Sequence, residues 1–326
     1  MYKKTAVPLE LLTFIREGDK FLIAGHKEPD GDCIGSQLAL SSALRRLGKQ
    51  AQPCSAGSFK RTEVMRWADR FCSAPDQDER KGARVIVVDC SASDRTGDLA
   101  PYLEGLPVAY IDHHALGSVE PSAGTPIYLD PAAPSVTYLI FYLIDALGLE
   151  PTVEETELLF FGLCTDTVFF RHVDEKGSAV FDCAARMIER GANPKKTYHA
   201  IYGEKTLNSR ILLGNMLSRV KSYFDGRLLI TTEEFEERER YGKEGRDTES
   251  LYILLQSVAG VEAVAVIRQE TRENCTVGFR SVGRIDVGSI AVSMGGGGHR
   301  NASGLSVKGV IPEIKERILE AFEKVL

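Results

Sequence analysis

Three apolar runs in the first third of the chain each end in acidic or imidazole side chains: "FLIAGH" at 21–26, "RVIVVDC" at 84–90 and "VAYIDHH" at 108–114. Runs this apolar read as strands covered on both faces. Between the first two lies "GSQLALSSALRRLG", which places Leu40, Leu44 and Leu47 on one helical face. Buried strands alternating with helices predict an α/β fold with a parallel sheet, and in such sheets the carboxyl ends of the strands share one crevice. The polar groups at those ends should therefore meet: His26, Asp30 and Asp32 from "HKEPDGD", then Asp89, then Asp112, His113 and His114.

Each group has a plainer reading when taken alone. P-D and D-G are ordinary turn dipeptides, Pro29 and Gly31 set a tight turn, and Asp32 could simply cap the helix that follows. In "FFGLCTDTVFFR", Asp166 follows a very apolar helix and is either the N-cap of a short helix or a ligand. Independent turns would not all end in one crevice, however. Five or six aspartates gathered there repel one another unless cations neutralise them. Carboxylates with a minority of imidazoles and no thiolates suit Mn²⁺ or Mg²⁺, and the imidazoles favour Mn²⁺. Two such ions roughly 3.5–4 Å apart, bridged by one carboxylate, hold a hydroxide and polarise a phosphoryl oxygen, so the expected chemistry is phosphoester or phosphoanhydride hydrolysis. On this reading Gly31 and Gly35 bend the chain between the two ions.

The remaining pattern predicts a helical lobe at "SVTYLIFYLIDALG", "TVEETELLFFGLCTDT" and "SAVFDCAARMIERG", with Thr152 as an N-cap and Gly148 and Gly191 at C-caps. A second, smaller α/β unit follows, with strands "RLLITT", "EAVAVIRQ" and "NCTVGFRS" and helices at 248–258, 287–294 and 311–325. The expected domains are 1–190, a helical linker over 191–222, and 223–326, which suits a chain of 326 residues. The mixed charges of "TTEEFEERERYGKEGRDTES" read as a solvated helix and loop. A net charge of −6 argues against a grip on long nucleic acid. Seven dispersed cysteines read as small buried hydrophobes in a reducing compartment. No stretch approaches the ~20 apolar residues of a membrane span, so the expected setting is cytoplasmic with no membrane partner. A homodimer is left open.

Taken together, "HKEPDGD", "VVDCSASDRTG" at 87–97, "IDHH" and "GLCTDTVFFR" at 162–171 resemble the DHH phosphoesterase superfamily. "GFRSVGRIDVGSIA" and "MGGGGHRNASG" at 294–304 resemble its associated C-terminal substrate domain. The resemblance covers nearly the whole chain. It implies that His26, Asp30 and Asp89 hold one ion and that Asp32, Asp89, His113 and Asp166 hold the other, with Asp89 as the bridge. It also implies that Asp112 orients a histidine from behind and that His114 faces the phosphoryl group as donor or general acid. Arg95 would contact the phosphate, or else form only a surface turn with Asp94, and Arg171 would contact substrate. Within the superfamily the length and the glycine-rich tail resemble the small nano-RNases, or phosphoadenosine phosphate phosphatases. These act on very short oligoribonucleotides and on the 3′-phosphate of 3′-phosphoadenosine 5′-phosphate. The departure "KE" at 27–28, where relatives carry Asn before the proline, touches no implied ligand.

In the C-terminal motif, the glycines at 295–298 would let backbone N–H groups approach an anion, with His299 and Arg300 as side-chain donors. The resemblance adds Arg280, Ser281, Gly296, Gly297, Gly298 and Ser303 to the substrate residues. Between 262 and 304 five arginines face four acids, enough for one or two phosphates. Arg268, Arg272 and Arg284 read equally well as surface partners of those acids. Closure of the second domain would admit only short ligands. The competing readings are a phosphodiesterase of linear or cyclic dinucleotides, a pyrophosphatase or exopolyphosphatase, and a nucleotide-binding regulator without turnover. The glycine-rich loop and Phe169, Phe170 and Phe279 speak against the phosphate-only enzymes, although all three aromatics also read as plain core residues.

Overall fold

The structure is a computed structural model that describes residues 6–61, 63–90, 93–114, 124–175 and 177–326, apart from the side chains of Ser93, Asp94 and Glu244. Ser91 and Ala92 of the "DCSASDRTG" motif, and the Asp94 side chain, lie outside the described part. The chain divides into two compact units, Met1–Gly203 and Glu204–Leu326.

The first unit runs α1 (Leu9–Glu17), β1 (Lys20–Ala24), α2 (Gly31–Arg46), β2 (Gln50–Cys54), α3 (Gln77–Arg80), β3 (Arg84–Val88), α4 (Ala100–Leu103), β4 (Val108–Asp112) and β5 (Ile127–Leu129). It continues with α5 (Val136–Ala146), α6 (Val153–Asp166), α7 (Ser178–Glu189) and α8 (Pro194–Tyr202). The strands form one sheet in the order β2-β1-β3-β4-β5, and every pairing is parallel. Both faces are covered, which explains the continuous apolar runs. Phe21, Ile23, Ile86 and Val88 pack into the core that includes Ile34, Leu38 and Leu139 of the helices, while Leu22, Ala24, Val85 and Val87 pack with Leu99 and Leu103 on the other face. The strand order reverses direction between β1 and β3, so the loops that follow these neighbours border the crevice in which ligands of open α/β sheets bind.

The helical lobe forms as its caps predict. Thr152 and Glu155 make a capping box at the start of α6, and the buried Glu155 carboxylate also accepts from Ser42 and Arg46 at 2.7 Å each, tying α6 to α2. The reading of Gly31 and Gly35 as bends is corrected: both lie within α2. A Cβ at Gly31 would sit 2.4 Å from Thr165 Oγ1, and one at Gly35 would sit 2.5 Å from the Leu158 carbonyl oxygen. On the facing helix, a Cβ at Gly162 would meet Thr137 Cγ2 at 2.4 Å and Asp32 Cα at 3.0 Å. These glycines let α2 and α6 cross closely. That crossing brings Asp32, near the start of α2, toward Asp166, the last residue of α6.

The second unit comprises α9 (Leu207–Ser218), β6 (Lys221–Tyr223), β7 (Leu228–Glu233), α10 (Phe235–Tyr241), α11 (Thr248–Gln256), β8 (Ala263–Gln269) and β9 (Asn274–Ser281). It ends with α12 (Val287–Ser293), β10 (Gly297–His299), β11 (Ala302–Lys308) and α13 (Ile311–Glu323). Its sheet, ordered β10-β11-β9-β8-β7-β6, is antiparallel except where β7 meets β8. The charge run is less solvated than its composition implies. Glu233 ends β7 fully buried, 2.8 Å from Arg246 Nη2 and 3.3 Å from Arg268 Nε, and Arg246 also donates to both oxygens of Glu270. A buried carboxylate needs such partners, so Arg268 is a core counter-ion. Phe279 is fully buried against Phe322 and serves the core, not a base.

Candidate metal centre

The loop after β1 delivers His26, and Asp30 then becomes the N-cap of α2, accepting from the backbone N–H groups of Asp32 and Cys33 at 3.1 Å each. Asp30, and not Asp32, is therefore the cap of this helix. Asp32 points away into the unit, where its carboxylate accepts from Val136 N at 2.6 Å, Thr137 N at 2.8 Å and Thr137 Oγ1 at 2.6 Å. It thus sits at the N-terminus of α5, where backbone donors and the helix dipole favour negative charge. Nor is Asp166 an N-cap, since it closes α6.

Asp89 follows β3 with φ of 60°, a left-handed conformation unusual for aspartate. Its amide stays in the sheet, donating to the Ile111 carbonyl at 3.0 Å, and its side chain is buried. One carboxylate oxygen lies 3.4 Å from His26 Nε2, and the other lies 3.8 Å from His113 Nε2 and 3.7 Å from His114 Nδ1. Strain of this kind persists where surrounding structure over-determines it, often at functional sites.

The adjacent histidines differ in their partners. His114 Nδ1 lies 2.8 Å from Asp112 Oδ1, the oxygen that also accepts from the backbone N–H groups of His113 and His114. His113 Nδ1 lies 3.1 Å from the Ala133 carbonyl oxygen. A carbonyl only accepts, so Nδ1 carries the proton and Nε2 keeps its lone pair. That Nε2 is buried with no hydrogen-bond partner among the described residues, 3.5 Å from Asp166 Oδ2. Three groups of donor atoms, each mutually within 4.8 Å, result: His26 with Cys33 and Asp89; Asp89 with His113 and His114; Asp32 with His113 and Asp166. An orphaned imidazole nitrogen facing two carboxylates, with its tautomer set from behind, fits a cation.

The electrostatics agree. Burial lowers the proton affinity of His26, but the carboxylates of Asp30 and Asp89, 3.8 Å and 3.4 Å from its Nε2, outweigh this and hold the imidazole well above its usual range. Burial raises the Asp30 carboxyl, yet His26 and Arg61 bring it well below the ordinary carboxylate range. Burial pushes Asp89 well up, with Asp32 and Asp30 adding repulsion against the pull of His26. Asp166 is raised to about 7, by burial first and then by the charge of Asp32. An ion held by these groups would therefore displace a proton. The affinity of the metal-free protein for Mn²⁺ should rise as pH increases through about 7, with proton release visible by calorimetry in buffers of different ionisation enthalpy. Asp166→Asn should flatten that rise, and a pH-independent affinity in the wild type would contradict it.

Arg95 is exposed, and its carbonyl accepts from Lys27 N at 3.0 Å, beside the His26 turn. Arg171 is exposed after Val168, Phe169 and Phe170, all with positive φ. In the second unit Arg280 stacks on Tyr252, 4.4 Å from the ring centroid. Ala302 pairs with both Arg280 and His299, which sets the three on one sheet face. Ser281 is buried, its hydroxyl without a hydrogen-bond partner among the described residues, and the Ser303 hydroxyl donates to the Val287 carbonyl at 2.6 Å. The glycine run is a helix end and an edge strand: a Cβ at Gly296 would meet the Gly304 carbonyl at 2.4 Å and one at Gly298 would meet Ser303 Cα at 2.5 Å, whereas Gly297 faces open space. Arg300 is exposed and donates to the Arg284 carbonyl. Sequence reasoning missed Arg61, whose guanidinium lies 3.8 Å from Asp30 Oδ2. Cys33, read as a small buried hydrophobe, is fully buried, and its Sγ falls in the first of the three donor groups.

Residues 20–163 match the model of the DHH family, N-terminal domain, and residues 226–326 match the DHHA1 domain. The bifunctional oligoribonuclease and PAP phosphatase NrnA of Thermus thermophilus is 32% identical over 305 residues, 93% of this chain and 89% of that protein. The chain belongs to the DHH family. It is accordingly an enzyme of the phosphoesterase class. Among solved structures, an exopolyphosphatase-related protein from Bacteroides fragilis superposes with a TM-score of 0.84 at 23% identity, covering 99% of this chain and 98% of that one. The exonuclease RecJ bound to manganese superposes with a TM-score of 0.56 at 15% identity, covering 98% and 96%. Both share the DHH fold. Among the described residues no helix is long and apolar enough to cross a membrane.

Proposed function

We propose that this DHH-family enzyme hydrolyses very short oligoribonucleotides to mononucleotides and removes the 3′-phosphate of 3′-phosphoadenosine 5′-phosphate, using two Mn²⁺ ions. The observation that carries the reading is Asp89, whose two carboxylate oxygens face different histidines, His26 on one side and His113 on the other. His26, Asp30 and Asp89 would hold one ion, and Asp32, Asp89, His113 and Asp166 the other. Bound there, the ions would supply Lewis acidity and a water of lowered pKa. Manganese suits the oxygen-rich donor set and is the ion named with RecJ. The substrate class follows the NrnA relative, similar across nearly the whole chain.

The chain's own groups account for the rest. Asp32, fixed by three donors from α5, cannot swing away when a substrate arrives. Asp112 sets the His114 ring through Nδ1, so Nε2 of this half-exposed ring is left to meet a phosphoryl or leaving oxygen. Arg95 and Arg171 would bind phosphate oxygens, and Arg280, His299 and Arg300 the remainder of a short nucleotide.

The test is a comparison of kcat/KM in Mn²⁺ for a diribonucleotide, an oligomer of about 20 nucleotides, phosphoadenosine phosphate, cyclic di-AMP and pyrophosphate. The diribonucleotide and phosphoadenosine phosphate should be preferred; pyrophosphate as the best substrate would overturn the reading. Arg280→Ala and His299→Ala should each raise KM for the diribonucleotide by about tenfold while leaving a small generic phosphodiester nearly unaffected. Equal effects on both would remove the role given to the second unit.

A further inference from the structure

One donor beside the proposed ions is not of their kind. Cys33 is fully buried in the first turn of α2, and its Sγ, a ring nitrogen of His26 and a carboxylate oxygen of Asp89 lie mutually within 4.8 Å. Of the three donor groups, this alone contains sulfur. The sulfur has a built seat. A Cβ at Gly25 would lie 2.2 Å from it, so only glycine leaves it room at the end of β1. Its S–H is directed to Gln37 Oε1 at 3.5 Å, and Gln37 is itself fixed by donating to the carbonyls of Ile23 and Cys54 at 2.8 Å each.

Resting on the reading that this cluster holds divalent cations, we propose that the subsite of His26, Cys33 and Asp89 is a mixed sulfur, nitrogen and oxygen site for thiophilic ions of the Zn²⁺ and Cd²⁺ class. Hard ions are satisfied by carboxylate and imidazole and leave the thiol protonated. A soft ion gains from sulfur, and one Cys, one His and one Asp supply three ligands of a four-coordinate site with one position open. As the sulfur–ion bond forms the S–H bond breaks, and the proton passes to solvent. Such an ion competes with Mn²⁺ for His26 and Asp89, so the enzyme distinguishes the two classes of ion by a residue that has no part in hydrolysis.

The experiment titrates the metal-depleted full chain with Cd²⁺ and follows the thiolate-to-Cd²⁺ charge-transfer band in the ultraviolet, with Mn²⁺ binding measured separately by electron paramagnetic resonance. The wild type should show the band within the first equivalent. Cys33→Ser should lose it and bind Cd²⁺ at least about tenfold more weakly, with Mn²⁺ affinity changed by less than about twofold. Cys183→Ser, which removes a buried thiol outside the cluster, should keep the band. The ¹¹³Cd resonance of the wild type supplies a reading that needs no variant and should lie in the range of sulfur-containing sites. A band that survives in Cys33→Ser, or a resonance typical of oxygen and nitrogen ligands alone, would overturn the inference while Mn²⁺ binding upheld the metal centre. Failure of the wild type to bind either ion would overturn both.

Discussion

Asp89→Asn is expected to lower kcat/KM for a diribonucleotide by about 10³-fold or more, roughly 4 kcal/mol of barrier, with the fold retained. Among the described residues this carboxylate is the one group facing both His26 and His113, so asparagine removes the shared charge from both proposed ion positions at once. Its effect on stability should have the opposite sign. Burial, reinforced by Asp32 and Asp30, raises the Asp89 carboxyl well above the ordinary range in the fold. The folded state then holds this proton more tightly than the unfolded one, so the metal-free protein loses stability as pH rises above the ordinary carboxylate range. Asparagine has no such proton to lose. The metal-free variant should therefore melt higher than the metal-free wild type at pH 8, with the gap closing toward pH 4. Saturating Mn²⁺ should reverse the order, because ligand binding to the native state stabilises only the protein that binds it well. Near-normal turnover by the variant would remove the bridging role.

Gly35→Ala should disturb the same centre without touching any proposed ligand. The added methyl would lie 2.5 Å from the Leu158 carbonyl oxygen, backbone of α6 that cannot rotate aside. Relief requires α2 and α6 to separate, and overpacking of this kind costs about 1–3 kcal/mol. Because Asp32 rides on α2 and Asp166 on α6, Mn²⁺ affinity should fall by about tenfold as well. Gly48→Ala is the control: Gly48 has φ of 77° but open space at its Cβ position, so alanine there should lower Tm through backbone strain and leave Mn²⁺ affinity unchanged. Calorimetric melting with a parallel Mn²⁺ titration separates the two cases. Equal Mn²⁺ affinity in Gly35→Ala and the wild type would show that the helix crossing does not position the site.

What could be read from the sequence divides along physical lines. β1, β3 and β4 were legible because coverage on both faces demands uninterrupted apolar runs, and their polar ends followed from the sheet's geometry. β2 was not legible: "QAQPC" is an edge strand, where polar residues and Pro53 are tolerated. The glycine run was read as an anion-approaching loop, although an edge strand with little side-chain mass carries no periodic signal. The roles of Gly31 and Gly35 depend on what α6 places opposite them, which lies more than a hundred residues away in sequence. Likewise, nothing in "DHH" separates His113 from His114. The separation comes from the Ala133 carbonyl and the Asp112 carboxylate that their Nδ1 atoms meet.

The most direct test of the two-ion account is to titrate the metal-depleted enzyme with Mn²⁺ while recording bound ion by electron paramagnetic resonance and diribonucleotide hydrolysis in the same samples. The account predicts that turnover stays low while the first ion binds, rises only as the second does, and is accompanied by spin coupling between the two. Full turnover at one bound ion per chain, or hydrolysis undiminished by complete metal removal, would contradict it.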